Sequence, residues 1–259
     1  MPVRPPTSPS IPTSPRRRPG GRLTRRGRFL LVAVTIGLVG LALPTSSRGL
    51  TDPGSPAIPA ADAPRPTDAA ARHLAELQQA EADIRWRRSR AVGKPNRGRL
   101  EAAVQLPAEG VHFVTWDPAL DTTPNRGWRR NGTDRLVRLV LRVAAEYAAA
   151  HPGAPRIVVG DLSRPAGGEF GRRYGGGGHA SHQNGLDVDV YYPRADGREV
   201  APTHPRQVDR ALAQDLVDRF VGAGVQHVFV GKGVRLHGPP KVVGLWPHHD
   251  DHMHVRIRP

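Results

Sequence analysis

Residues 179–189 read His-Ala-Ser-His-Gln-Asn-Gly-Leu-Asp-Val-Asp, and residues 249–254 answer them with His-Asp-Asp-His-Met-His. After the polar turn at Asn184-Gly185 the first stretch alternates. Leu186, Val188 and Val190 fall on one side of a strand, and Asp187, Asp189 and Tyr191 on the other. The second stretch alternates too: Met253, Val255 and Ile257 read as a core face, and His252, His254 and Arg256 point the opposite way. A His-x-His pair on a strand aims both imidazoles into one space. Neutral imidazole and carboxylate are the nitrogen and oxygen donors that zinc takes in tetrahedral sites. Two histidines, one aspartate and a water would form an open, catalytic arrangement. A solvated histidine tract is the bland alternative, but such tracts lack the alternating apolar partners present here.

Outward from this pair, the rest of the chain reads as scaffold. The 259 residues carry a net charge of +15 and a sequence pI of about 11.4. Eight arginines and no acid lie in residues 1–28, so about half of the excess sits in one tail. The remainder is modest and almost wholly arginine, which argues against a nucleic-acid surface. There is no cysteine, so no disulfide framework exists.

Residues 29–43 are apolar, FLLVAVTIGLVGLAL, at the upper edge of a signal h-region and short of a full span. Arginines before this run place the tail inside and everything later outside, so the segment contacts membrane during or after export. Residues 44–66 are rich in Pro, Ala and Ser and read as a tether. Thr67 or Asp68 caps a helix predicted to run to about Ser89, within a helical arm of residues 67–97.

The folded domain is expected over residues 98–259. Leu100–Leu106 and Val111–Thr115 read as a hairpin-like pair of strands. Thr133 caps a helix to about His151 that buries Leu136, Val137, Val140, Leu141 and Ala144. A second amphipathic helix is predicted over Pro205–Val221, with Val208, Leu212, Leu216 and Phe220 inward. The glycines at 175–178 lack the Gly-Lys-Ser/Thr ending of a phosphate loop and instead allow a tight bend beside His179. Helices and strands do not alternate regularly, which implies an α+β domain with a small, mainly antiparallel sheet flanked by helices.

Three segments together closely resemble the penicillin-insensitive murein endopeptidases: Gly160-Asp161-Leu162-Ser163-Arg164-Pro165, Gly178-His179 through Asp189, and His249-x-x-His252-x-His254. That family belongs to the lysostaphin, D-Ala-D-Ala metallopeptidase and hedgehog group of zinc proteins. The similarity covers roughly Leu100 to Arg258. It implies a hedgehog-like fold and a zinc peptidase cutting peptidoglycan cross-links of the D-alanyl to meso-diaminopimelyl type; with the N-terminal export segment, the expected location is the periplasmic or cell-wall space, either released or anchored to the membrane by that segment. It further implies His182, Asp189 and His254 as zinc ligands, His252 as the catalytic histidine, and His179 and His249 as supporting or substrate-facing residues.

On the residues alone, Asp187 rivals Asp189 as ligand, and Asp250 and Asp251 are candidate orienters of the histidines. Arg164 either binds a peptide carboxylate through its planar fork or braces its loop. A carboxypeptidase trimming a terminal D-amino acid, and a wall-binding module that keeps only the metal, are the competing functions.

Overall fold

The computed structural model describes residues 67–175 and 177–259. The basic tail, the Phe29–Leu43 run and the tether lie outside the described residues. Helix α1 spans Asp68–Ala82, capped by Thr67, whose hydroxyl accepts from the Ala70 N–H at 3.3 Å. It ends seven residues before the expected Ser89. Its apolar stripe is too thin to continue: within the helix only Leu77 is buried, and Leu74 is exposed. Ile84, past the helix end, reaches the core from extended chain, while Trp86 lies 3.8 Å under the Arg138 guanidinium.

Strands β1 (Arg90–Lys94) and β2 (Arg97–Glu101) form an antiparallel hairpin. The boundary expected at Gly98 falls inside it. The expected pairing of Leu100–Leu106 with Val111–Thr115 is absent. Short β3 (Val104–Gln105) pairs with β6 (Asn131–Gly132), and β4 (Glu109–Gly110) pairs with β5 (Phe113–Thr115). β1 was illegible because its ends, Arg90 and Lys94, are charged and its side chains are half-exposed, so no apolar alternation marks it.

Helix α2 (Asp134–Ala150) starts at Thr133, whose side chain accepts from Leu136 N–H at 3.3 Å. It buries Leu136, Val137, Leu139, Val140, Val143, Ala144 and Tyr147, with Leu141 at the margin rather than inside. Each such burial contributes on the order of 1.5–3 kcal/mol for the larger side chains. Strand β7 (Ile157–Val159), strand β8 (Asp187–Tyr191) and helix α3 (Arg210–Gly222) follow. The expected helix from Pro205 is broken, because Asp209 caps α3 by accepting from Ala211 and Leu212 N–H. Strands β9 (His227–Val230), β10 (Val243–Leu245) and β11 (His252–Arg256) complete the chain.

The main sheet has seven strands in the order β10-β9-β11-β8-β7-β5-β4. It is mixed but mainly antiparallel, as expected: β10 with β9 and β5 with β7 run parallel, and the other four pairings antiparallel. The domain is α+β. One sheet face, carrying Val188, Val190, Val228, Met253 and Val255, packs into the core with α2 and α3. On the opposite face Val114, Trp116, Val158 and Tyr191 form a smaller cluster. The side chains of His254 and Asp189 share that opposite face because strand side chains alternate.

Candidate metal centre

The two decisive stretches meet in the middle of this sheet. β8 and β11 are antiparallel neighbours, with Asp189 directly opposite His254 and Asp187 opposite Arg256. His182 comes from the loop before β8, wholly buried, with a left-handed backbone at φ +63°. Histidine tolerates that region better than most residues. Two contacts hold it there: Asp187 Oδ2 accepts its N–H at 3.0 Å, and Ser163 Oγ donates to its carbonyl at 2.5 Å.

His182 Nε2, His254 Nδ1 and Asp189 Oδ1 form a triangle with edges of 3.2, 3.2 and 3.3 Å. The ring protons are committed elsewhere. His182 Nδ1–H donates to the Leu162 carbonyl at 2.5 Å, and His254 Nε2–H donates to Asp187 Oδ1 at 3.1 Å. Asp189 Oδ1 is sealed from solvent and accepts no hydrogen bond. Two imidazole nitrogens and a carboxylate oxygen therefore converge on one space that a cation can fill. A tetrahedral site with bonds of 2.0–2.1 Å has edges of about 3.3–3.4 Å. The donors fit a metal ion on geometry and on chemistry.

A looser group, His179, His182 and Asp189, also lies within 4.8 Å. The triangle with His254 is the tighter of the two. His179 Nε2 is bonded to buried Asp161 Oδ2 at 2.7 Å, and its Nδ1 stands 3.6 Å from the other oxygen of Asp189. His179 thus supports the carboxylate from behind. Gly178 lets the loop deliver it: at φ +70°, a Cβ there would meet Arg172 N at 2.4 Å.

Electrostatics follow from this crowding. Burial pushes Asp189 up, but the neighbouring imidazoles of His182, His252 and His254 outweigh it and hold the carboxyl well below its ordinary value. Burial disfavours a charged His254, yet Asp187 and Asp189 raise it to about 9. Burial alone dominates at His182, which is lowered. At His252 burial is again outweighed, by Asp189 and Asp251, and the ring is raised.

His252 lines the groove beside the triangle. Its Nδ1 donates to Asp251 Oδ1 at 2.7 Å, and its Nε2 stands 3.8 Å from Asp189 Oδ1. Asp250 does not orient a histidine: its Oδ1 accepts from Gly233 N–H at 2.8 Å. His249 stacks 4.7 Å from His252, and burial holds it down to about 4. Arg164 does not reach the groove. Its Nη1 donates to the Glu169 carbonyl at 3.0 Å and its guanidinium sits 4.3 Å over Tyr174, so it braces its loop.

The groove, about 690 Å³, runs from the Pro95-Asn96 turn past His179 and His252 to the exposed Trp246. Sequence reasoning missed three supports: the Leu162 carbonyl, Ser163, and Arg129, whose buried guanidinium grips Asp161 at 2.7 and 2.5 Å. Ser163 and Leu162 lay in the Gly160–Pro165 motif already noted. Nothing local marked Arg129.

Residues 91–232 match the family described as penicillin-insensitive murein endopeptidase. A penicillin-insensitive murein endopeptidase of Escherichia coli (strain SE11) is 29% identical over 197 residues, covering 66% of each chain. Proteins of the same description from Citrobacter koseri and Salmonella heidelberg are 28% and 29% identical at the same coverage. The chain thus spans just under two thirds, 66%, of the length of these relatives. With more than half of its residues matched by the family, the chain belongs to the penicillin-insensitive murein endopeptidases.

Proposed function

We propose that this chain is an exported zinc endopeptidase that hydrolyses peptidoglycan peptide cross-links of the D-alanyl to meso-diaminopimelyl type. The observation that carries the reading is the triangle of His182 Nε2, His254 Nδ1 and Asp189 Oδ1, three metal-ligand atoms with edges of 3.2–3.3 Å. His182, Asp189 and His254 would hold the ion. Zinc is the metal whose tetrahedral N/O coordination suits that donor set best. A bound zinc ion supplies Lewis acidity toward water and toward a peptide carbonyl.

The chain's own residues do the rest. Asp251 fixes the His252 tautomer and aims Nε2 at the groove, where it can take a proton from an attacking water and return one to the leaving amine. Asp187 and the Leu162 carbonyl orient the two ligand imidazoles, as outer partners of metal-bound histidines do. His179 and His249 flank the reacting groups on either side. Two antiparallel strands presenting Asp189 against His254 support the hedgehog and D-Ala-D-Ala-peptidase-like reading of the fold. The Arg-rich tail before the apolar run of residues 29–43 supports export.

The zinc-loaded chain should release monomeric muropeptides from cross-linked sacculi. A chelator should abolish release, and added zinc should restore it. Intact cross-links after incubation with fully loaded protein would overturn the reading.

A further inference from the structure

Arg256 follows His254 by two residues on the same face of β11, a step of about 7 Å along the strand. Its Nε donates to Asp187 Oδ1 at 2.5 Å, and Asp187 in turn holds His254 and the His182 N–H. That contact uses one of the guanidinium's five donors and fixes the plane of the fork. The terminal nitrogens have no acceptor among the described residues, yet they are not sealed from solvent. Arg256 lines the groove.

Among the described residues lining that groove, the arginines are Arg129 and Arg256. Arg129 is wholly buried and spent on Asp161 and the Tyr174 carbonyl. Arg256 is therefore the lining arginine with an end-on fork still open to a ligand. A carboxylate is the planar anion that matches this fork. Phe229, 5.9 Å under the guanidinium, and Trp246, packed 5.4 Å from Phe229, give the position an apolar flank.

We propose that Arg256 forms a carboxylate subsite that recognises the free carboxyl group adjacent to the scissile amide of the cross-link. The proposal rests on the endopeptidase reading above. In a D-alanyl to meso-diaminopimelyl link, the carbon bearing the amide nitrogen also bears a carboxyl group. With the amide at the His182–Asp189–His254 triangle, that carboxyl falls within one arginine side chain's reach along β11. Asp187 then serves both neighbours, orienting His254 for the ion and Arg256 for the substrate. Specificity for a carboxylate beside the cut bond, rather than for the amide alone, follows from this shared anchor.

The test compares two cross-linked muropeptide dimers, identical except that this carboxyl is free in one and amidated in the other. Wild-type protein should cut the free form with a kcat/KM about 10- to 100-fold higher, the scale of a charge-assisted hydrogen-bonded pair. Arg256→Gln should slow only the free form, mainly through KM, and so erase the difference; Arg256→Lys should recover part of it. Metal content of both variants should equal that of the wild type. The wild-type comparison requires no variant to fold. Equal cutting of both forms by the wild type, or discrimination that survives in Arg256→Gln, would overturn the subsite. Failure to cut either form would instead overturn the endopeptidase reading, and the subsite with it.

Discussion

His182 Nε2 and His254 Nδ1 face each other at 3.2 Å, and each ring has already given its proton to a partner on its far side. Such a pair needs a cation between its rings, either a proton or a metal ion. Replacing either ring removes a donor and leaves an open coordination face. His182→Ala and His254→Ala should each lower bound metal to below about a tenth of one equivalent after dialysis, with far-UV circular dichroism unchanged. Near-stoichiometric metal in both variants would place the ion elsewhere.

Protons compete for the same space. The carboxylates of Asp187 and Asp189 lift His254 to about 9, so below that pH the empty site holds a proton on this ring. Metal must displace it. Apparent affinity should therefore fall about tenfold per pH unit as pH drops below about 9. Competition titrations between pH 6 and 9 read this slope directly, and a flat profile would contradict it.

His252 stands beside the triangle without belonging to it, 3.8 Å from Asp189 Oδ1. His252→Ala should retain a full equivalent of metal and lose turnover by about 10²- to 10⁴-fold, the usual contribution of a positioned acid or base. Metal analysis and kcat on one preparation separate the two effects. Loss of metal would make His252 a ligand; retained kcat would remove it from catalysis.

Asp161 should govern acid stability. Burial pushes its carboxyl up, but hydrogen bonds from His179 and Arg129 hold it below its ordinary value of 3.8. A depressed carboxyl contributes stability that is present above its unfolded pKa and lost as pH falls through the folded value. The urea midpoint of chelator-treated protein should thus decline below about pH 4. Asp161→Asn should flatten that decline while costing about 3–5 kcal/mol at neutral pH, because Arg129 is left buried and unpaired. An unchanged acid limb in the variant would assign the decline to other groups.

Gly185 turns the chain from the His182 loop into β8 at φ +74°, and its carbonyl accepts from Thr133 N–H at 2.9 Å. A Cβ there would sit 2.8 Å from both Leu100 methyl carbons and 3.1 Å from Thr133 N. Gly185→Ala should cost about 1–3 kcal/mol from backbone strain alone, read as a fall in the urea midpoint. No change would show that the turn can relax.

Parts of this architecture were legible before any coordinates. Apolar alternation marked Leu186, Val188 and Val190 against Asp187, Asp189 and Tyr191, and the 3.6-residue spacing marked α2. Those signals are local, set by strand and helix geometry. The early end of α1 and the β1–β2 hairpin escaped notice because exposed charged segments bury too little to imprint a period. Arg164 had the right chemistry for a carboxylate, but its side chain turns to the Glu169 carbonyl and the Tyr174 ring within its own loop.

The sequence by itself determined that two aspartates and two histidines would share strand faces, since period 2 allows nothing else. It could not rank Asp187 against Asp189, which alternate identically. Tertiary structure separates them: Asp187's oxygens are taken by His254, Arg256 and the His182 N–H, while Asp189 Oδ1 is left buried and unpartnered between two imidazoles. Only packing distributes donors among acceptors, because the β11 side chains that meet Asp187 and His182 come from 67 to 72 positions away.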